Sequence, residues 1–332
     1  MKKAVILVNV GTPDAPKKRA VGKYLREFLG DGRVIDFPWL PRKLLVNGII
    51  VPFRVKNSTK MYQKLWTENG SPLLFYLNRV VEKLQKTVNE NTIVFGAMRY
   101  QTPSINAVLV KIRKENYESV TVIPLFPQYA SSTSGTVNAF VLNQVRKWTA
   151  VPELKFVSQF YRNELFLDAF AERIKSYQPE KYDHIIFSYH GLPLRHLDKV
   201  HGKTKCADCN CDLGLPECGS LCYKATCYET THLLAQRLNL TKDEYTTSFQ
   251  SRLSKNWLSP FTDETIVKLA QKGKKKILVT SPAFVADCLE TVIEIGDEYA
   301  LLFKENGGEQ LTLVESLNDS DRWIECLKEL IG

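Results

Sequence analysis

Residues 185–193 read IIFSYHGLP, an apolar run that ends in a histidine and then turns at Gly-Leu-Pro. A run of this length suits a strand buried on both faces of a parallel sheet, and the Gly and Pro stop it. In an open α/β sheet, ligands meet the chain at the carboxyl ends of the strands. His190 therefore stands where a group that titrates near neutrality, or binds a metal, has most use. A buried, hydrogen-bonded histidine without chemistry fits the same stretch. Its surroundings have to decide.

Similar β-rich runs occur at 4–10, 92–98, 119–126, 155–160, 245–251 and 276–282, with another near 311–315. Amphipathic segments lie between them at 73–90, 104–116, 164–177, 228–238 and 263–272. Strands alternating with helices predict parallel sheets joined by right-handed crossovers. The fold class expected is α/β, with two Rossmann-like doubly wound lobes, 1–160 and 161–318, a cleft between them and a terminal helix, 319–332. No internal repeat is visible. The strand ends carry no G-x-G-x-x-G or Walker pattern; SSTSGT (131–136) is at most a weak cradle for phosphate or carboxylate.

A chain of 332 residues, 44% apolar and 24% charged, is long enough for two cores and has a soluble composition. Its net charge of +9 is spread along the chain, which favours anionic small ligands over nucleic acid. The opening MKKAVILVNVGTP has too short an apolar run for a signal peptide and reads as a first strand. No stretch is long enough to span a bilayer. The apolar patch 44–53 would rim a pocket or touch a membrane surface, and the chain reads as cytoplasmic.

After the run at 276–282 comes AFVADCLETVIEIGDEYALLF, in which Asp287, Glu290, Glu294 and Glu298 recur three and four apart. A helix would set them on one face, with Val285, Leu289, Val292, Ile293 and Ile295 making the remainder apolar. Carboxylates on a buried helix must be paired, protonated or metal-bound. Such a stripe could pass a hard cation inward or protons outward.

Six of the eight cysteines lie in CADCNCDLGLPECGSLCYKATC: Cys206, Cys209, Cys211, Cys218, Cys222 and Cys227. In a reducing compartment this density points to metal. Zinc, an iron–sulfur cluster and a reducible thiol loop all fit the spacing.

FSYHGLP together with DCLETVIEI resembles the ferrochelatase family. LVNVGTPDAP, FLGDGRVIDFP, NGIIVPFR, YQKLWTENGSPL, MRYQTPSI, PLFPQYASSTSGT, SFQSRLSKNWLSPFTDET and SLNDS extend the resemblance almost end to end. It implies a chelatase-like pair of lobes and insertion of Fe2+, as substrate, into protoporphyrin IX with release of two protons. Such a reaction strips two pyrrole N–H protons and bends a flat ring toward the entering ion. The resemblance makes His190 and Glu290 the central catalytic and iron-holding pair, with Asp287 and Glu294 as relay groups. It places Arg99 and Tyr100 near the macrocycle and makes Arg54, Tyr62 and Ser71 partners for the propionates.

The chain has Gln101-Thr102 where the family often has Gly-Asn, and Cys288 where some relatives carry a histidine. Val10 stands where coproporphyrin-using relatives tend to have tyrosine, which favours protoporphyrin IX over coproporphyrin III. The insertion 203–227 resembles that of bacterial members holding a [2Fe–2S] cluster, with four of Cys206, Cys209, Cys211, Cys218 and Cys222 as ligands and Cys227 the weakest candidate. From another class, an iron–sulfur or zinc protein sensing redox state remains the alternative.

Overall fold

The computed structural model describes residues 2–201 and 205–332, apart from the side chains of His201, Ala207 and Cys218. The first two residues of the predicted insertion, 203 and 204, lie outside that description. The chain forms two compact units. One comprises Met1–Phe126, Ser131–Gln159 and Leu327–Gly332, the other Pro127–Ala130 and Phe160–Cys326.

The first unit holds β1 (Lys3–Gly11), β2 (Thr92–Tyr100), β3 (Ser119–Pro124) and β4 (Glu153–Phe156). They form a parallel sheet in the order β2-β1-β3-β4, with Lys3 paired to Thr92 on one side and Ser119 on the other. β3 ends at Pro124, two residues short of the predicted run, at a residue with no amide to donate. β4 starts two residues earlier than predicted and stops at Phe156.

The second unit holds β5 (His184–His190), β6 (Tyr245–Gln250), β7 (Lys276–Thr280) and β8 (Gln310–Leu313), parallel in the order β6-β5-β7-β8. The two sheets are wound identically, a repeat of topology that the residues do not display.

Both central strands are buried along almost their whole length, β5 from His184 to Tyr189, as the continuous apolar runs predict. In the first unit Ile6, Val8, Val120 and Val122 pack with Leu109, Ile112, Val137 and Val141. In the second, Ile186, Ile277 and Val279 pack with Ile266, Leu269, Ile295 and Phe303. Each such side chain contributes roughly 1.5–3 kcal/mol by leaving water. Among the described residues, no helix is long and apolar enough to cross a membrane.

In each sheet the winding reverses beside the central strand, between β1 and β3 and between β5 and β7. These are the switch points where open α/β sheets leave a crevice at the strand ends. His190 closes β5, and the segment 281–299 follows β7. That segment is not the α-helix predicted. It runs through turns and bends to Cys288, which is extended, and then forms a π-helix, Leu289–Tyr299, whose i→i+5 bonding is often found at functional sites.

Candidate active site

In the second unit, His190 is half-buried and pairs across the sheet with Gln250. Its Nδ1 lies 2.6 Å from the carbonyl oxygen of Gly191. A carbonyl can only accept, so Nδ1 carries a proton, and in the neutral form of the ring the lone pair lies on Nε2. The rings of Trp257 and Phe284 flank the imidazole at 6.4 and 6.5 Å between centroids. Gly191 has to be glycine, because a Cβ there would meet the Gln250 carbonyl oxygen at 2.8 Å and Trp257 at 3.4 Å. The turn is braced by Gly191 N–H to Gln250 O and by Leu258 N–H to Leu192 O.

Gln250 was not singled out from the sequence, yet it joins the two predicted halves. Its Nε2 donates to the Glu290 carbonyl at 2.8 Å and to the Glu294 carboxylate at 3.3 Å, while Ser188 donates to its Oε1 at 2.7 Å. It is 1% exposed, so these bonds are made away from water and hold their geometry.

Glu294 accepts further bonds from the Ser251 amide (2.8 Å), the Ser251 hydroxyl and the Tyr299 hydroxyl (2.8 Å). Burial, together with the Glu294 charge, pushes the Tyr299 hydroxyl up, so it stays protonated and donates. Glu290 is half-buried beside Cys288 and Glu298 is exposed. Burial raises the Cys288 thiol well above its usual range, helped by the charge and hydrogen bond of Glu290.

Asp287 is not on the helical stripe. It precedes the helix and is 7% exposed. Asn318 bonds it twice, donating Nδ2 to its carboxylate (2.8 Å) and accepting its N–H (2.9 Å); Ser316 N–H adds a third bond at 3.1 Å. Asp287 thus ties the start of this segment to the loop after β8.

In the first unit, Arg99 and Tyr100 end β2 and meet on one carboxylate, Asp31. Arg99 approaches it at 2.7 Å, Tyr100 OH at 2.9 Å and Thr136 Oγ1 at 2.6 Å; the Arg33 N–H reaches its other oxygen at 2.8 Å. Burial alone would raise the Asp31 carboxyl. The bonds from Thr136, Arg33 and Tyr100 and the charge of Arg99 outweigh it and hold the group below the usual carboxylate range. Arg99 thereby spends Nη2 on the chain's own carboxylate and Nε on the Thr136 hydroxyl, at 2.9 Å, rather than keeping both for a ligand. Gly11, at φ +129°, lets β1 pass the Tyr100 carbonyl, which a Cβ would meet at 2.2 Å. Ser71 is buried against Thr12 at 2.8 Å, Tyr62 lies edge-on to Tyr24, and Arg54 is exposed on its helix, Val51–Leu65.

In the cysteine-rich segment, Cys206, Cys211 and Cys222 are buried and Cys209 is half-buried. Burial pushes Cys206 up to about 11 and Cys211 to about 12, and nearby thiols add to it: Cys222 and Cys209 at Cys206, Cys209 and Cys222 at Cys211. Lys224 is the opposing positive charge. These four thiols therefore gather in one place, while the Cys218 side chain lies outside the described residues. Cys227 sits in the helix Tyr223–Arg237, where burial also raises it. Among the described residues, no group of three or more histidine, cysteine or acidic side chains is disposed to hold a single metal ion.

Comparison with known proteins identifies the family of the chain. The ferrochelatase family model matches residues 2–332. A ferrochelatase of Legionella pneumophila (strain Lens) is 41% identical over 333 residues, covering 100% of this chain and 99% of its own. One from Coxiella burnetii (strain Dugway 5J108-111) is 40% identical over 337 residues, covering 99% and 93%. Among solved structures, SirB from Bacillus subtilis with Fe3+ superposes with a TM-score of 0.57 at 10% identity, covering 100% of this chain and 94% of that one, which shows the fold. The chain belongs to the ferrochelatase family, the lyases that insert iron into a porphyrin in haem synthesis.

Proposed function

We propose that the chain inserts Fe2+ into protoporphyrin IX, with His190 and Glu290 as the pair that handles the pyrrole protons and the incoming ion. A neutral ring gives up two N–H protons and takes up one dication, so charge and protons balance. The observation that carries this reading is the fixed tautomer of His190, whose Nδ1–H is held by Gly191 and whose Nε2 is left as base or ligand. After Nε2 takes a proton, Nδ1–H keeps the same bond, so the ring does not have to turn. Glu290 supplies the carboxylate, and Gln250 fixes the backbone of both. Glu294, held by several donors, suits a stationary relay group, and Asp287 a brace. Arg54, exposed on its helix, is the propionate partner we favour, joined by Tyr62 and Ser71; Arg99 and Tyr100, locked on Asp31, shape the wall beside the macrocycle.

Val10 ends the apolar part of β1 and offers no hydrogen-bond donor from its side chain. It suits a vinyl edge better than a further carboxylate. Side-by-side assays should give protoporphyrin IX a kcat/KM at least about tenfold above coproporphyrin III, the scale of one mismatched polar contact. A preference for coproporphyrin III would overturn this assignment.

We further propose a [2Fe–2S] cluster, for which Cys206, Cys209, Cys211 and Cys222 are the set of described thiols that fits. A binuclear cluster asks two thiolates of each iron, whereas structural zinc wants four around one ion. When bound, it would supply one-electron redox chemistry and cross-link the segment. Without it, burial keeps Cys206 and Cys211 as neutral thiols at pH 7. Protein purified without oxygen should carry about two irons and two acid-labile sulfides per chain and absorb in the visible. Cys209→Ser with Cys211→Ser should lose both; a colourless protein holding zinc would sink the proposal.

Free thiols at these positions support a reducing, cytoplasmic setting. Exposed Trp39, Leu40, Leu44, Ile49 and Phe53 support a peripheral contact with a membrane surface, where an apolar porphyrin would be delivered.

A further inference from the structure

In the first unit, helix α1 (Lys18–Leu29) is crossed by the segment that carries α2 (Trp39–Leu44) and the π-turn Leu45–Ile50. Between them lies a cavity of about 390 Å³ with nine lining residues, among them Lys23, Arg26, Glu27, Trp39, Arg42 and Lys43. Four of the nine are cations, of which Lys23 already stands 3.5 Å from the Asp14 carboxylate. Glu27, the acid among them, already accepts bonds from the backbone and side-chain nitrogens of Gln101. Arg42 is fixed by donating to the Phe37 carbonyl at 2.6 Å, and the Lys43 ammonium stands 4.8 Å from the centre of the Trp39 ring.

The surroundings are apolar in a way a soluble face rarely is. No residue of α2 is buried. Trp39, Leu40, Leu44, Ile49 and Phe53 are 56–78% exposed. From 37 to 67 the chain has no acidic residue, while Arg42, Lys43, Arg54, Lys56, Lys60 and Lys64 are basic. A cationic recess ringed by outward apolar side chains matches a molecule whose anion and hydrocarbon lie side by side.

We propose that this cavity binds the phosphate of an anionic phospholipid headgroup, with the ring of apolar side chains entering the acyl boundary. The proposal rests on the membrane contact suggested above and deepens it, from a patch to a site. Inorganic phosphate shares the charge but would leave the apolar ring in water, so the lipid is the source to which the geometry points.

The test is co-sedimentation with phosphatidylcholine vesicles containing 30% phosphatidylglycerol, followed by titration with monomeric dihexanoyl-phosphatidylglycerol and, separately, inorganic phosphate. The wild type should prefer the anionic vesicles and saturate with one short-chain lipid per chain. Arg26→Glu with Lys43→Glu should weaken vesicle binding at least about tenfold, given the surface attraction of each basic residue. Arg26→Gln with Lys43→Gln should weaken it less. Lys56→Glu with Lys60→Glu makes the same charge change on exposed positions outside the cavity and should cost much less.

Absence of binding to any vesicle would remove the membrane reading itself. Equal losses from the cavity and control pairs would leave the membrane contact but overturn the site. Saturation by phosphate as tight as by the short-chain lipid would overturn the lipid assignment. A cavity variant with a raised KM for porphyrin and unchanged vesicle binding would give the cations to the substrate's carboxylates instead.

Discussion

His190→Ala should abolish iron insertion, lowering kcat by at least about 10²–10⁴-fold, the usual contribution of a positioned general acid–base group. The unit around it stays folded. His190 is half-buried at the last position of β5, and the core beneath it is made by Ile186, Ile277 and Val279. Its thermal midpoint should therefore stay within a few degrees of wild type, since about 1 kcal/mol moves a domain of this size by about 2–4 °C. Glu290→Gln keeps volume and removes charge, and should give a comparable loss of kcat. Gln250→Ala supplies an internal comparison. Gln250 is 1% exposed, and its loss loosens the strand end opposite His190 and the backbone of Glu290 together, so kcat should fall by an intermediate factor. Porphyrin binding, followed by absorbance, should survive in all three. Near-normal turnover by His190→Ala would remove His190 from the chemistry and leave the fixed tautomer as a structural detail.

How much of this was legible beforehand follows from the range of the interactions. The strands were legible because burial on both faces writes itself into contiguous residues, as in AVILVNV and IIFSYH. His190 was legible because the strand's end and the Gly-Leu-Pro stop are adjacent to it in sequence. The acid stripe was legible only as spacing. Threes and fours imply an α-helix, and nothing in the residue pattern reports a switch to i→i+5 bonding or sets Asp287 ahead of the helix on Asn318. Gln250, Asp31 and Thr136 escaped for one shared reason. Each matters through partners 40 or more residues away, such as Gln250 with Glu290 and Asp31 with Arg99, and a polar residue whose partner is distant looks like any surface residue. FQSR does stand at the end of the β-rich run 245–251, and that position was the available signal for Gln250, whereas FLGD closes an amphipathic helix and offered none. The matched winding of the two sheets was invisible because topology constrains burial, not identity.

Asp31→Ala should strongly destabilise the first unit. The Asp31 and Arg99 side chains are only 12% and 16% exposed, so removing the carboxylate strands a largely dehydrated guanidinium and takes an acceptor from Tyr100 and Thr136. Losing one partner of such a pair costs about 3 kcal/mol, where an exposed pair would cost less than about 1 kcal/mol. The sign with pH is fixed by the direction of the shift. A carboxyl held below its unfolded value, about 3.9, stabilises the fold fully above that value and stops doing so as pH falls through the lower folded value. Wild type and Asp31→Ala should therefore differ most at neutral pH and converge in acid. Hydrogen exchange at the amides of β2 and of the helix Thr136–Val145 reads the stability of this unit separately from the other. Protection there should drop about a hundredfold in the variant at pH 7. Arg99→Met combined with Asp31→Ala should recover part of the loss, because the stranded charge is then gone. If the double variant lost the sum of the two single losses, the pair would not be coupled. The Arg99 guanidinium would then be held by its packing on the Tyr100 and Phe140 rings, each 4.6 Å away, rather than by Asp31.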